Sequence, residues 1–152
     1  MASRTTAFVS RHRLAAAAGA VSAAAACMLG YNSIRVPWHM GTDALLYGSS
    51  TAAVSYSDAK KWSACAKKVS GGDPQNVYPH LKLSCIAYST SDQAEEAGDA
   101  IGPAAMAAGD QAWTDTLWNY LATNPFGDGY FGQTIKMLVY IVMAGDYWNP
   151  VA

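Results

Sequence analysis

The stretch DQAWTDTLWNYLATNPFGDGYFGQTIKMLVYIVMAG, residues 110–145, shows most clearly which fold class this chain adopts. Its apolar residues recur every three or four positions, which places them on one face of an α-helix. Asp110 can cap the first helix, Gly145 can end the second, and the Pro and Gly residues at 124–129 mark a tight connection between them. Two amphipathic helices joined by a short loop pack as an antiparallel hairpin, so the prediction is an all-α fold. The two apolar stripes are Trp113, Leu117, Tyr120 and Leu121, then Phe131, Ile135, Leu138, Val139 and Val142.

The residues upstream of this stretch predict two further helices. The first has Pro37 in its first turn, runs through Tyr47 and closes at Gly48. The second begins at an N-cap, Ser57, and stops at the glycine pair 71–72. The apolar stripe of that second helix is Trp62, Cys65, Ala66 and Val69.

Between these helices and residue 110 the pattern is weaker. Residues 73–80 contain Asp73-Pro74 and Tyr78-Pro79, which predict a loop. Residues 81–88 have a partial period of two and predict either a short strand or an extended linker. The acidic residues Glu95 and Glu96 predict a solvated turn.

The composition narrows the classes of ligand. Ten basic and eleven acidic residues leave a net charge of −1, so no basic field is present and nucleic acid is excluded as a partner. Five Trp and nine Tyr stand against three Phe. Because Trp and Tyr join a flat apolar face to a polar tip, they suit neutral, hydroxyl-rich ligands, although most such rings are core residues.

The N-terminal residues predict export. Arg11-His12-Arg13 precedes an Ala-rich apolar stretch and an Ala-x-Ala-like site at residues 24–26, the order found in a secretory signal. The stretch is too short and too rich in alanine for a membrane span, so no integral membrane segment is predicted. The alternative is an Ala-rich helix with no targeting role. The prediction divides the chain into a signal-like segment, residues 1–29, and a domain, residues 30–152.

The cysteines and histidines predict no metal site and no cofactor. If a leader is cleaved after Ala26, Cys27 becomes the first residue, and Cys65 and Cys85 remain as either a disulfide pair or two buried thiols. The histidines are scattered, and neither Cys-x-x-Cys nor His-x-x-x-His occurs.

Several segments taken together resemble glycoside hydrolase family 8. YNSIRVPW at residues 31–38 is similar to that family's tyrosine–aspartate–alanine–x–arginine–x–proline–tryptophan stretch. In the family's order there follow GTD at 41–43, YG at 47–48, GPAAM at 102–106, QAW at 111–113, Trp118, YFG at 130–132 and GDYWNP at 145–150. The similarity extends from about Tyr31 to Pro150.

The resemblance implies a fold, a reaction and a place of action. Members of this family are secreted cellulases, lichenases, chitosanases and some xylanases, which share a barrel of six helical hairpins and hydrolyse β-1,4 linkages with inversion. Twelve helices need on the order of 200 residues. The expectation is therefore the C-terminal part of an (α/α)6 barrel, with about five of the later helices and without the earlier part that supplies the family's general acid, a glutamate.

The resemblance also assigns candidate site residues. Asn32 stands where the family's pattern has the aspartate base, and an amide cannot take a proton from water near neutral pH. A subgroup with asparagine here uses a glutamate from an upstream loop, but no Glu or Asp precedes Asn32 in this chain. Tyr31 is expected to help place the attacking water. Arg35 and Trp38 are the expected substrate-binding residues, through a planar fork of donors and a stacking ring.

Three functions follow from these residues. The first is an endo-acting hydrolase of β-1,4-glucan such as cellulose, incomplete or inactive as this chain alone. A chitosanase of the same family is the alternative that Asn32 favours. The third is a helical remnant without catalysis that binds glucan or serves as a structural element. Helix faces without neighbours are also expected to promote self-association.

Overall fold

The computed structural model describes residues 33–87, 95–124 and 129–148. Its helices are α1 (Arg35–Thr51), α2 (Ala53–Ser70), α3 (Glu95–Asp99), α4 (Gly102–Ala108), α5 (Gln111–Thr123) and α6 (Tyr130–Ala144). A 3-10 turn at Pro74–Asn76 and two short strands, β1 (Leu81–Lys82) and β2 (Ile86–Ala87), lie between α2 and α3. The predicted all-α class is confirmed. In the three described ranges, no helix combines the length and the hydropathy that crossing a membrane requires.

Glycines and one aspartate set most helix ends where the sequence places them. Gly48 breaks the helical geometry inside α1, with φ 71° and ψ 171°. Gly71 ends α2 in the left-handed conformation, and the following amide, of Gly72, donates to the Lys67 carbonyl at 2.9 Å. The Asp110 carboxylate accepts from the Trp113 amide at 3.2 Å and caps α5. The predicted boundaries at Gly71 and Asp110 are confirmed, whereas Gly48 interrupts the first helix and α1 continues to Thr51.

Two predictions upstream of residue 100 are wrong. Ser57 does not cap α2, because that helix already begins at Ala53 and Ser57 lies inside it. Glu95 and Glu96 do not form a turn, since they open the helix α3. A close contact of Gly98 explains why these residues are helical. Gly98 lies so close to the Pro74 carbonyl that an added methyl carbon would stand 2.7 Å from its oxygen, so α3 is held against the 3-10 turn.

Residues 81–87 form a hairpin, so the strand alternative is confirmed for the part of 81–88 that the structure describes. Leu81 pairs with Ala87 and Lys82 with Ile86, and the three-residue loop closes through the Cys85 amide, which donates to the Lys82 carbonyl at 2.8 Å. Cys85 has a φ of 60°. A disulfide joins Cys85 to Cys65 of α2, with 5.3 Å between their Cα atoms. The hairpin is thereby tied to the side of α2.

Helices α5 and α6 pack as the predicted antiparallel pair. The Trp118 and Tyr140 rings lie 4.6 Å apart, while the Lys136 ammonium, one turn earlier in α6, donates to the Asn124 carbonyl just after α5. The large side chains of this core cluster are Ile34, Trp38, Val77, Ile101, Trp113, Leu117, Leu121, Ile135, Val139 and Met143. The cluster also includes Ala66 of α2, Ala97 of α3 and Ala105 of α4, so residues from all six described helices share one apolar interior.

A second contact region of small residues joins α1, α2 and α4. Ala44, Ala59, Ala104 and Ala107 form a buried cluster there. Gly41 of α1 lies directly on the backbone of Pro103 and Ala104, where no Cβ could fit. This close approach brings the first two helices against the helix that precedes α5.

Candidate functional site

The four predicted site residues surround the start of α1, and the structure describes two of them. Tyr31 and Asn32 lie outside the described residues, which begin at Ser33. The Val36 amide donates to the Ser33 carbonyl at 2.9 Å, and Ile34 is buried in the core. The chain is therefore anchored directly after Asn32.

Arg35 is the first residue of α1 and lies over an aromatic ring of α6. Its guanidinium carbon is 5.1 Å from the centroid of the Phe131 ring. Contact between a guanidinium and the face of a ring contributes about 0.5–1 kcal/mol at an exposed site. The donors around the edge of a guanidinium held in this way can still reach hydroxyl groups. Residues 35 and 131 are far apart in the sequence, and no local pattern predicted their contact.

Trp38 belongs to the core rather than to an open surface. Its side chain is 8% exposed, and its ring lies 4.6 Å from that of the exposed His39. Thr42, one turn later, donates its hydroxyl to the Trp38 carbonyl at 2.9 Å. This burial favours a packing role, and the stacking of a sugar on Trp38 stays an untested prediction.

The aspartates near the helices have structural hydrogen bonds of their own. Asp43 accepts from the Ser55 hydroxyl and so joins α1 to α2. Along the axis of α1, Asp43 lies about 12 Å from Arg35. Three others are similarly engaged: Asp58 with Lys61, Asp73 with the Gln75 amide, and Asp115 with Gln111. In residues 33–87, 95–124 and 129–148, no carboxylate forms an ion pair with Arg35.

Asp110 is the aspartate whose electrostatics are most clearly defined. The Lys67 ammonium donates to it at 2.6 Å, and the Trp113 amide donates to its other oxygen. The bond from Lys67 and then that from Trp113 hold the pKa of the Asp110 carboxyl below its ordinary value. A carboxyl that is held ionised in this way stabilises the fold and is poorly suited to donate a proton to a leaving group.

The described ranges also bear on metal binding. In them, no group of three or more His, Cys, Asp or Glu residues is placed to hold a metal ion. The predicted absence of a metal site and of a cofactor stays a prediction.

Comparison with known proteins relates the chain to a class of hydrolases. No family model matches the chain, and no solved structure matches it. The chain is 33% identical over 120 residues to a β-glucanase from Niallia circulans, an alignment that covers 78% of this chain and 28% of that protein. It is 22% identical over 121 residues to an endoglucanase from Bacillus sp. (strain KSM-330), covering 80% of this chain and 25% of that protein.

The chain is thus similar to a part of two bacterial glucanases and spans about a quarter of the length of these curated relatives. The resemblance to glycoside hydrolases is supported at that level. Family 8 and the barrel architecture stay predictions.

Proposed function

We propose that this chain forms a helical part of a glucan-hydrolysing domain of the family 8 type, in which it contributes to binding of a β-1,4-glucan. The 33% identity to the β-glucanase over 78% of the chain carries this proposal. The position of Arg35 supports it, because a guanidinium in contact with the Phe131 ring is restrained and still has donors for sugar hydroxyls. The helices would then be the later hairpins of an (α/α)6 barrel in a secreted protein.

The proposed role is binding rather than proton transfer. Hydrolysis with inversion uses two carboxyl groups about 6.5–9.5 Å apart, one protonated and one ionised. Asn32 offers an amide at the base position, and the described aspartates discussed above have other partners. Asn32 and Tyr31 would orient a water without activating it. We therefore expect no turnover from the 152-residue chain alone.

A first test measures turnover and binding side by side. The purified chain is assayed for release of reducing sugar from carboxymethyl-cellulose and from chitosan, and for retention on insoluble cellulose. Binding to cellulose without release of reducing sugar is the expected result. Hydrolysis of either polymer by the chain alone would contradict the binding role, and absence of any binding would contradict the proposal as a whole.

A second test addresses Arg35. Arg35→Lys keeps the charge over the Phe131 ring but loses the planar fork, so glucan affinity should fall about three- to tenfold. Lys60→Ala is the matched control, because Lys60 is also a cation over an aromatic ring, 5.4 Å from the centroid of Tyr56, and lies on α2. Equal affinities of the Arg35→Lys chain and the unaltered chain would remove Arg35 from the site.

A chitosanase-type specificity is the second candidate, and the observation that favours it is Asn32. The resemblance to family 8 described above makes a chitosanase the alternative that an asparagine at this position favours. Preferential binding of chitosan over cellulose by the chain would support this candidate against the cellulase type.

A further inference from the structure

A pocket on the side of α2 lies apart from Arg35 and Trp38. It has a volume of about 560 Å³, within the range of about 300–1,000 Å³ that is usual for small-molecule sites. One wall is a face of α2 and the other is the hairpin, through Leu83 and Cys85. The α2 residues are Asp58, Lys61, Trp62, Ala64, Cys65 and Lys68. From residue 58 to residue 68 this face is about 15 Å long.

Trp62 combines the two properties that a sugar platform needs. It is half-buried and packs on the small cluster of Cys65 and Leu81, which holds the ring in place. The same ring lines the pocket, so part of it faces the open side. The spacing in the sequence predicted only the packing role of Trp62. The tertiary structure shows the hairpin that, together with Trp62, forms a pocket.

The polar groups of the pocket suit hydroxyls and disfavour a cationic ligand. The Lys61 ammonium pairs with Asp58 at 2.9 Å in an exposed contact. Ammonium groups donate and a carboxylate accepts, so the pocket offers both kinds of partner to a sugar hydroxyl. Two lysines against one aspartate leave an excess of positive charge, which repels the amino groups of chitosan.

We propose that the Trp62 pocket binds a segment of a neutral β-1,4-glucan, with a sugar ring on the Trp62 face and its hydroxyls at Lys61, Lys68 and Asp58. This inference rests on the proposed function, because the glucanase relatives suggest the ligand class. It adds a second contact region for the same polysaccharide, and none of the residues that line this region belongs to α1. The Cys65–Cys85 disulfide holds the hairpin wall of this region.

The test is calorimetric titration of the chain with cellohexaose and with a chitosan hexamer. Trp62→Ala should lower cellohexaose affinity about tenfold, as loss of a central aromatic anchor does. Trp148→Ala is the matched control, because Trp148 is 79% exposed and lies outside the pocket. The affinity of the Trp148→Ala chain for cellohexaose should equal that of the unaltered chain. Melting curves of both variants establish that they are folded.

A charge-reversal variant tests the pocket without removing a packed ring. Lys61→Glu combined with Lys68→Glu changes exposed positions and turns the excess charge of the pocket negative. Binding of the chitosan hexamer should then increase about tenfold or more, as expected for added opposite charges. Reduction of the disulfide should weaken cellohexaose binding, because it releases the hairpin wall.

The outcomes separate this inference from the proposed function. Loss of affinity in Trp62→Ala with no change in Trp148→Ala supports the pocket. Cellohexaose binding that is unchanged in Trp62→Ala and in the double Glu variant, but weakened in Arg35→Lys, overturns the pocket and leaves the proposed function standing. A chain that binds no glucan overturns both.

Discussion

Asp110 connects two helices through one carboxylate. One oxygen caps α5 by accepting from the Trp113 amide, and the other accepts from Lys67 of α2. The side chains of Lys67 and Asp110 are 43% and 36% exposed, so water screens the ion pair and the cap supplies the larger share of the stabilisation.

Two substitutions at this position separate the cap from the charge. Asp110→Ala should lower the free energy of unfolding by about 1 kcal/mol, because the cap is lost. Asp110→Asn keeps a good cap and loses only the charge, so it should cost less at neutral pH. Urea unfolding of the three proteins at pH 7 gives both differences.

The unaltered chain and Asp110→Asn also test how the free energy of unfolding depends on pH. The folded pKa of Asp110 is below its ordinary value of 3.8, so the stabilisation by its charge is present above that value and is lost as the pH falls through the folded pKa. The gap in stability between the unaltered chain and Asp110→Asn should close below about pH 4. A gap that stays constant down to pH 2 would contradict the assignment.

At the scale of elements, the hairpin shows how a very short sheet is held. Its strands have two residues each, which is too little pairing for independent stability. The disulfide to α2 and the buried Leu81 supply the missing anchorage. The loop between the two cysteines has a sequence separation of 20.

Removal of the disulfide should destabilise the chain substantially. Cys65→Ala with Cys85→Ala should cost about 3 kcal/mol, since the unfolded chain gains the entropy of an open loop of this length. Replacing Cys85 by Gly instead of Ala, in the same Cys65→Ala background, should restore about 1 kcal/mol, because Cys85 has a φ of 60°. Thermal melts of the unaltered chain and the two double variants in oxidising buffer measure both effects, and a melt of the unaltered chain in reducing buffer checks the first. Equal melting temperatures under the two conditions would show that the bond adds no stability.

The contact of α1 with α4 depends on the absence of a side chain at residue 41. A methyl group there would overlap the backbone of Pro103 and Ala104, which cannot move aside as a flexible side chain can. Gly41→Ala should therefore destabilise the fold by about 1–3 kcal/mol. Gly129→Ala is the matched control, because no atom lies within 4 Å of the added carbon. If Gly41→Ala and Gly129→Ala had the same denaturant midpoint, the close packing at Gly41 would be refuted.

At the scale of the whole molecule, apolar side chains remain uncovered on α6 and just after it. Tyr130 is 86% exposed, Met137 is 55% exposed and Trp148 is 79% exposed. A surface pocket of about 400 Å³ follows the α6 residues Tyr130, Gln133, Thr134, Met137 and Leu138. Apolar surface of this kind promotes association between molecules.

We expect the isolated chain to associate through this α6 face. Light scattering during size-exclusion chromatography should show a mass that increases with concentration, and Met137→Lys should lower it. Val54→Lys is the control, since Val54 is 72% exposed but belongs to α2. A monomer at every concentration, with a sharp two-state melt, would count against this prediction.

The apolar stripes and the ends of the helices were predictable from the sequence, but the contacts that each helix makes with other segments were not. The stripes of α5 and α6, the cap at Asp110 and the stops at Gly71 and Gly145 depend on residues within one or two turns. The helix α3 was missed because its five residues are too few to show a period and are held by the contact of Gly98 with Pro74. For the candidate site, the sequence could point to Arg35 through a resemblance, but not to its position over Phe131.

What the sequence determined by itself is the all-α class and the relation to glucanases, because periodicity, capping and residue order are properties of the chain before it folds. The tertiary structure decided that Cys65 and Cys85 are bonded, that Trp38 is buried, and that Trp62 faces a pocket. Each of these depends on which distant segments come into contact when apolar surface is removed from water, and a local sequence pattern does not predict such contacts.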